Sequence, residues 1–256
     1  MTIYTDAMLP GAWNFRDVSD LKTYEGRYVG AGFLFRSSEL SGLEDAGAQT
    51  LSELGVTDVF DLRDPTEVER SGSDRVPDGV RVHAFPFGLS QGGGKAPHEM
   101  TAEEYEAHRG HYMLDVYARM PALPGAMSAV RSAIDVLADP DRRLLTHCAA
   151  GKDRTGWVTA VVLDALGVRR DEIVADYLAS NNDVEALRTH LMKVYGAAAT
   201  DGKPFEISTD LLGVREEYLD VSYRAMTDGF GSIADYLTAC QVGEAQIEAL
   251  RDRLLV

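Results

Sequence analysis

Residues 147–156 read HCAAGKDRTG, placing a thiol, an imidazole, an ammonium, a carboxylate and a guanidinium in one short stretch. RRLLTH ahead of it has the pattern of a short buried strand, and RTGWVTAVVLDALG behind it that of a helix closed by Gly167. A turn from a strand end into a helix start aims several backbone N–H groups at one point, where the helix dipole adds positive potential, so anions bind there. Cys148 opens that turn and shares its field with Arg154, surroundings that favour thiolate over thiol. The five residues between them, Ala149 to Asp153, let the loop curl until the Arg154 side chain returns over a phosphate held above the sulfur. Ala149, Ala150 and Gly151 are small enough for the backbone itself to approach the anion, with Lys152 adding charge.

The elements that must hold this loop are legible as patterns. GRYVGAGFLFRS, VTDVFDLRD and VRVHAFPF are β-rich runs bounded by turn residues, and LSGLEDAGAQTLSELG, between the first two, has helical spacing and ends on Gly55. GLSQGGGKAPHEM is a loop, read either as a linker or as a mobile active-site flap. Residues 101–138 are helical in pattern with breaks at Pro121 and Pro124, and everything after Gly167 is helical. No internal repeat or long linker divides the chain. Residues 1–256 are therefore expected to form one α/β domain with a helical C-terminal half.

Other uses of the stretch fit less well. A nucleotide-binding P-loop needs glycine where Thr146 stands and Ser or Thr where Asp153 stands. Zinc is disfavoured because His147 and Cys148 are adjacent and no second Cys or His pair stands at ligand spacing, so neither metal nor organic cofactor is expected. The bland reading, a buried structural thiol, suits Cys240 in its apolar helical pattern better than Cys148 with Lys152 and Arg154 beside it. With 25 basic against 41 acidic residues the formal charge is −16, which argues against nucleic acid and against stable membrane association, and makes an anionic substrate depend on a dedicated positive pocket. Two distant cysteines and no N-terminal leader or membrane-length apolar run point to the cytoplasm, and a monomer is expected.

Cys148 to Arg154 resembles the Cys-x5-Arg signature of tyrosine and dual-specificity phosphatases, in the version carried by a group of bacterial enzymes. GAWNFRDV, FLFRSSELS, DLRDPTEVER, DYLASNN, LLGVREEYLD and FGSIADYLT follow in the order of that family, and the match thins across residues 90–125. The resemblance implies a mainly parallel central sheet flanked by helices, with the signature loop at the strand ends. It also implies Cys148 as nucleophile, Arg154 as the clamp on the phosphoryl oxygens, and two helices of the C-terminal half, about 182–215, as a lid. Phosphotyrosine is the expected substrate, with phosphoserine, phosphothreonine or phosphoinositides beside it.

Within that chemistry Thr155 either bonds the Cys148 sulfur or caps the helix, and His147 orients the loop through buried hydrogen bonds. Lys152 either reads additional phosphate, as in phosphoinositide phosphatases, or pairs with a carboxylate such as Asp61. The general acid is sought between two residues: Asp153, whose counterpart in the resembling family is implicated in catalysis, and Asp61, which closes the strand VTDVFD. Asp153 is preferred, with Asp61 expected to orient Lys152 or Arg154. Asp115 falls in a helical pattern and is expected on a solvated face. Leu187, Leu191 and Val194 repeat at helical spacing and line either the lid or the core. A phosphate-binding module without catalysis and a sulfur or arsenate transfer enzyme are the alternatives.

Overall fold

The computed structural model describes residues 8–88, 111–195 and 209–256. Most of the glycine-containing loop after Phe87, the first part of the 101–138 pattern and the Val194 side chain lie outside the described residues. Five strands form one sheet: β1 (Arg16–Asp17), β2 (Leu34–Ser37), β3 (Asp58–Asp61), β4 (Arg81–Ala84) and β5 (Leu144–His147), in the order β1-β2-β5-β3-β4. β2, β5, β3 and β4 run parallel, and β1 pairs antiparallel with β2 at one edge. The sheet is thus mainly parallel, as expected, although only the last residues of GRYVGAGFLFRS form strand.

Alternation along the central strands sorts side chains to two cores. Leu34, Phe60 and Leu144 enter the larger cluster, while their neighbours Phe35, Val59 and Leu145 enter a smaller one with Leu40, Leu43, Leu51 and Leu54. The smaller cluster is covered by α1 (Asp45–Glu53), where buried Gly47, not exposed Ala46, faces inward because Pro10 packs where a Cβ would stand. α2 (Pro65–Ser71) follows β3. On the other face, α3 (Tyr112–Arg119) and α4 (Pro124–Ala138) are separated by a short 3-10 turn at the two prolines, Pro124 standing in the first turn of its helix. Asp115 is exposed on α3 as expected.

α5 (Asp153–Ala165) is buried on nearly every side, as its continuous run Trp157 to Leu163 requires, and the Trp157 indole N–H donates to Ser222 Oγ at 2.6 Å. Gly167, at φ +79°, ends it. α6 (Arg170–Ala179), α7 (Val184–Tyr195), α8 (Thr209–Leu212), α9 (Glu216–Phe230), α10 (Ile233–Ala239) and α11 (Glu244–Leu254) complete the helical half. Among the described residues its departures include isolated bridges from Val168 to Thr23 and from Leu255 to Val29. Among the described residues no helix is long and apolar enough to cross a membrane.

Register fixes what matters for chemistry. Ser37, His147, Asp61 and Ala84 stand level at the carboxyl edge of the sheet. The chain leaving β5 is consequently flanked by the chains leaving β2 and β3, the position in open α/β sheets where ligands bind.

Candidate active site

Cys148 is the first residue past β5 and is 2% exposed. The loop after it turns at Gly151, whose φ of +68° and close approach to the Ser37 carbonyl leave no space for a Cβ. Lys152 stands at the N-terminal boundary of α5, and Arg154, in its first turn, is buried. The Arg154 Nη1 and Nη2 groups meet the Glu67 carboxylate at 2.5 and 2.7 Å, and Nη1 also donates to the Leu62 carbonyl at 3.1 Å. Burial works against this guanidinium, but the Glu67 charge outweighs it and the pKa is raised, so Arg154 remains a cation. Three of its five N–H donors are thereby taken. The two left without an acceptor among the described residues, on Nε and Nη2, form the side-on fork that suits two oxygens of a phosphoryl group. Glu67 is itself fixed at the start of α2, where Oε2 accepts from the Asp64 amide at 2.7 Å.

Asp61 does not orient Lys152 or Arg154, contrary to the sequence expectation. Both its oxygens are held by Arg63, through Nε at 2.9 Å and Nη2 at 2.7 Å, because two residues past the strand end bring that guanidinium back onto it. The carboxylate beside Lys152 is instead Asp153, with Oδ2 at 3.0 Å from Nζ. The ammonium also donates to the carbonyls of Leu211 at 2.8 Å and Gly213 at 3.2 Å. Asp153 Oδ1 accepts from the Tyr117 hydroxyl at 3.0 Å, which in turn lies 2.6 Å from the Tyr177 hydroxyl. Thr155 does not cap α5: it sits inside the first turn, fully buried, and its hydroxyl has no partner among the described residues.

His147 is buried with Nε2 2.8 Å from Asp74 Oδ2 and Nδ1 3.1 Å from the Cys148 carbonyl. Both neighbours are acceptors, so only the imidazolium donates to each. Burial opposes that charge, yet Asp74, helped by Asp61, raises the pKa above the ordinary histidine value. Asp74 is correspondingly held below the usual carboxylate range: burial pushes it up, and His147 and Arg63 pull it further down. Asp61, Asp74 and His147 bring ligand atoms within 4.8 Å of one another. The Arg63 guanidinium, 2.7 Å from one carboxylate and 2.8 Å from the other, already bridges that space, so the group does not fit a metal ion.

Behind the loop lies a second set of charges that sequence reasoning passed over. Arg36, on β2, is 0% exposed and pairs through Nη1 with Asp176 at 2.6 Å. Burial and the neighbouring Arg16 lower its pKa to about 10 against the pull of Asp176, which leaves it charged at neutral pH. A signal existed: an arginine within the apolar strand LFRS is rarely buried without a partner, and Asp176 supplies one from DYLASNN. Glu67 lay in the quoted segment DLRDPTEVER, where its spacing from Asp64 marks a helix start and nothing marks its reach to Arg154.

Leu187 and Leu191 are buried in the larger core cluster. On the same helix, α7, His190 packs its ring 4.7 Å from Trp13 and places Nε2 3.5 Å from Glu39, whose amide donates to the Ala149 carbonyl. The helix therefore reaches the rim of the Cys148 loop.

A family model described as the tyrosine phosphatase family matches residues 7–256. The triple specificity protein phosphatase PtpB of Mycobacterium tuberculosis is 41% identical, over 96% of this chain and 98% of that one. A putative tyrosine-protein phosphatase of Cupriavidus necator is 33% identical, over 91% of this chain and 84% of its own length. The crystal structure of P. aeruginosa TpbA covers 84% of this chain and 90% of that chain, with a TM-score of 0.31 and 17% identity.

Proposed function

The chain belongs to the tyrosine phosphatase family, and from that premise we propose that it hydrolyses phosphotyrosine through a cysteinyl-phosphate intermediate on Cys148. The observation that carries this reading is the free side-on fork of Arg154, held by Glu67 on the loop that Cys148 opens. The Cys148 thiolate attacks phosphorus in line, forming the S–P bond as the bond to the leaving oxygen breaks, and Arg154 takes the charge that gathers on the phosphoryl oxygens. Asp153 donates a proton to the leaving oxygen. Water then attacks phosphorus, Asp153 recovers a proton from it, and the sulfur leaves, assisted by the unpartnered Thr155 hydroxyl. Lys152 Nζ lies 3.0 Å from Asp153 Oδ2, so a substrate bearing further negative charge would meet an ammonium beside the proton donor.

The same lysine supports a wider substrate range that takes in phosphoserine, phosphothreonine and phosphoinositides. The described parts of the expected lid at 182–215, α7 and residues 209–215, serve as that lid, with Lys152 and Asn181 holding residues 211–214, while residues 196–208 lie outside the described residues. Cys148 and Cys240 are both unpaired, which suits work in the cytoplasm. A panel of phosphotyrosine peptide, phosphoserine peptide and phosphoinositide, turned over by one preparation, tests the range. Lys152→Ala should lower phosphoinositide hydrolysis about tenfold more than phosphotyrosine hydrolysis. Equal losses would remove the lysine from substrate recognition.

A further inference from the structure

The carbonyls of the Cys148 loop are occupied one after another from behind. Ala149 O accepts from the Glu39 amide at 3.1 Å, Ala150 O from Asn14 Nδ2 at 3.1 Å, Gly151 O from Arg36 Nη2 at 2.8 Å and Lys152 O from the Gly156 amide at 2.9 Å. The amides of Ala149 to Arg154, by contrast, meet no acceptor among the described residues. A peptide unit is planar, with C=O and the following N–H pointing opposite ways. Whatever holds the carbonyl of one residue backward therefore aims the next residue's N–H forward. Asn14 fixes the N–H of Gly151 in this way, and Arg36 fixes that of Lys152.

We propose that Asn14 and Arg36 are positioning residues for the phosphatase reaction, gripping the loop carbonyls so that its amides converge on the phosphoryl group. Two of the four grips come from backbone amides, Glu39 past β2 and Gly156 in α5; the other two depend on these side chains. They belong to one rigid assembly. Asp176 holds Arg36 Nη1 at 2.6 Å and Arg16 Nε at 2.7 Å, and Arg16 Nη1 donates to Asn14 Oδ1 at 2.6 Å, which turns the Asn14 Nδ2 group toward Ala150. Asn14 sits in the left-handed region at φ 53°, a conformation asparagine tolerates. Arg36 is anchored inside the sheet, opposite Thr146 on β5, so its fork cannot drift relative to the strand that launches the loop. The guanidinium also places positive charge behind an anion site, and it interacts electrostatically with Cys148. A lysine would supply charge without the fork that reaches Asp176 and Gly151 together.

This inference rests on the reading of the loop as the phosphate cradle, and the experiment separates the two. Inorganic phosphate is measured as a competitive inhibitor of an aryl phosphatase assay, and its direct binding to Cys148→Ser is measured calorimetrically. If neither shows binding, the cradle reading falls and this proposal with it. Given binding, Arg36→Lys and Asn14→Gly should each weaken phosphate inhibition about tenfold and lower kcat/KM by about 10- to 100-fold, because small misplacements of reacting groups cost that much. Glycine accepts the left-handed φ, so Asn14→Gly should melt within a few degrees of the parent, and a stability loss alone would leave phosphate affinity of the folded fraction unchanged. If Arg36→Lys fails to fold, Asn14→Gly decides. A folded Asn14→Gly with phosphate inhibition and kcat/KM within about twofold of the parent overturns the proposal.

Discussion

The two ends of the parallel sheet both concentrate buried charge, and they do opposite things with it. At the amino edge Asp58 receives Arg81 at 3.0 Å, Arg142 at 2.5 and 2.9 Å, His83 at 2.8 Å and Thr57 at 2.7 Å. Burial pushes this carboxyl up, but those partners outweigh it and hold it well below the usual carboxylate range. Three residues later, at the carboxyl edge, Asp61 is just as thoroughly held by Arg63. Around it, however, the acceptors of the Cys148 loop are used from behind while its amides and the Arg154 fork face none. A site for an anion is a place where donors outnumber acceptors. In a chain of charge −16 that surplus must be built locally, and here it is built where strand ends, a glycine turn and a helix start coincide.

The sharpest way to break this contrast is to remove the nucleophile from the donor-rich end. Cys148→Ser should lower turnover of an aryl phosphate by at least about a thousandfold while phosphate binding persists, since a hydroxyl is an unactivated nucleophile in an intact cradle. Hydrolysis within about tenfold of the parent would rule out the covalent route. Next in size is the proton donor. Asp153→Asn should depress phenyl phosphate hydrolysis about 100-fold and dinitrophenyl phosphate hydrolysis only severalfold, because a good leaving group needs little protonation. Asp61→Asn, which loosens Arg63, should harm both alike. A leaving-group-dependent defect in the Asp61 variant would exchange the two assignments.

How much of this was legible in the sequence follows the same division. The loop itself, from Cys148 to Thr155, and the strand and helix that frame it could be read because their residues are contiguous and their periodicities simple. The parallel sheet came with the family resemblance. The partners were hidden because they arrive from afar: Glu67 lies 87 residues from Arg154, and Asp176 lies 140 from Arg36. The misreading of Asp61 has a local cause. A strand-end carboxylate does point toward the cleft, but Arg63 in the same DLRD segment reaches it first. Sequence spacing places side chains on an edge; only the register of neighbouring strands decides which of them meet.

A smaller effect is expected from the pair beneath the loop. His147 has a raised folded pKa, so its contribution to stability is complete below the unfolded histidine value of about 6.5 and fades as pH rises through the folded value. Asp74 has a lowered one, so its contribution is complete above about 3.9 and is lost only as pH falls through its folded value. Asp74→Asn leaves burial as the dominant influence on the imidazole, and its pKa should drop in an NMR titration. The stability gap between parent and variant should be wider at about pH 6 than at about pH 9. A gap independent of pH would mean that Asp74 acts through Arg63 and Leu40 alone.

The smallest effect on catalysis should come from the other end of the sheet. Asp58→Asn keeps the size of the side chain and most of its hydrogen-bonding positions, but it removes the charge on which Arg81 and Arg142 converge. Because both arginines are partly solvated and can turn to water, the loss should be about 2 kcal/mol, below that of breaking a fully buried pair. Denaturant melts would show it as a lowered midpoint at unchanged slope. Turnover is a different matter: β3 separates Asp58 from the reacting centre, and Asp58 shares no ligand with the Cys148 loop, so kcat/KM well below the melting range should stay within about twofold of the parent. If Asp58→Asn instead lowered kcat/KM as strongly as Asp61→Asn, the two ends would be one coupled network through β3, and the division into a matched edge and a donor-rich edge would fail.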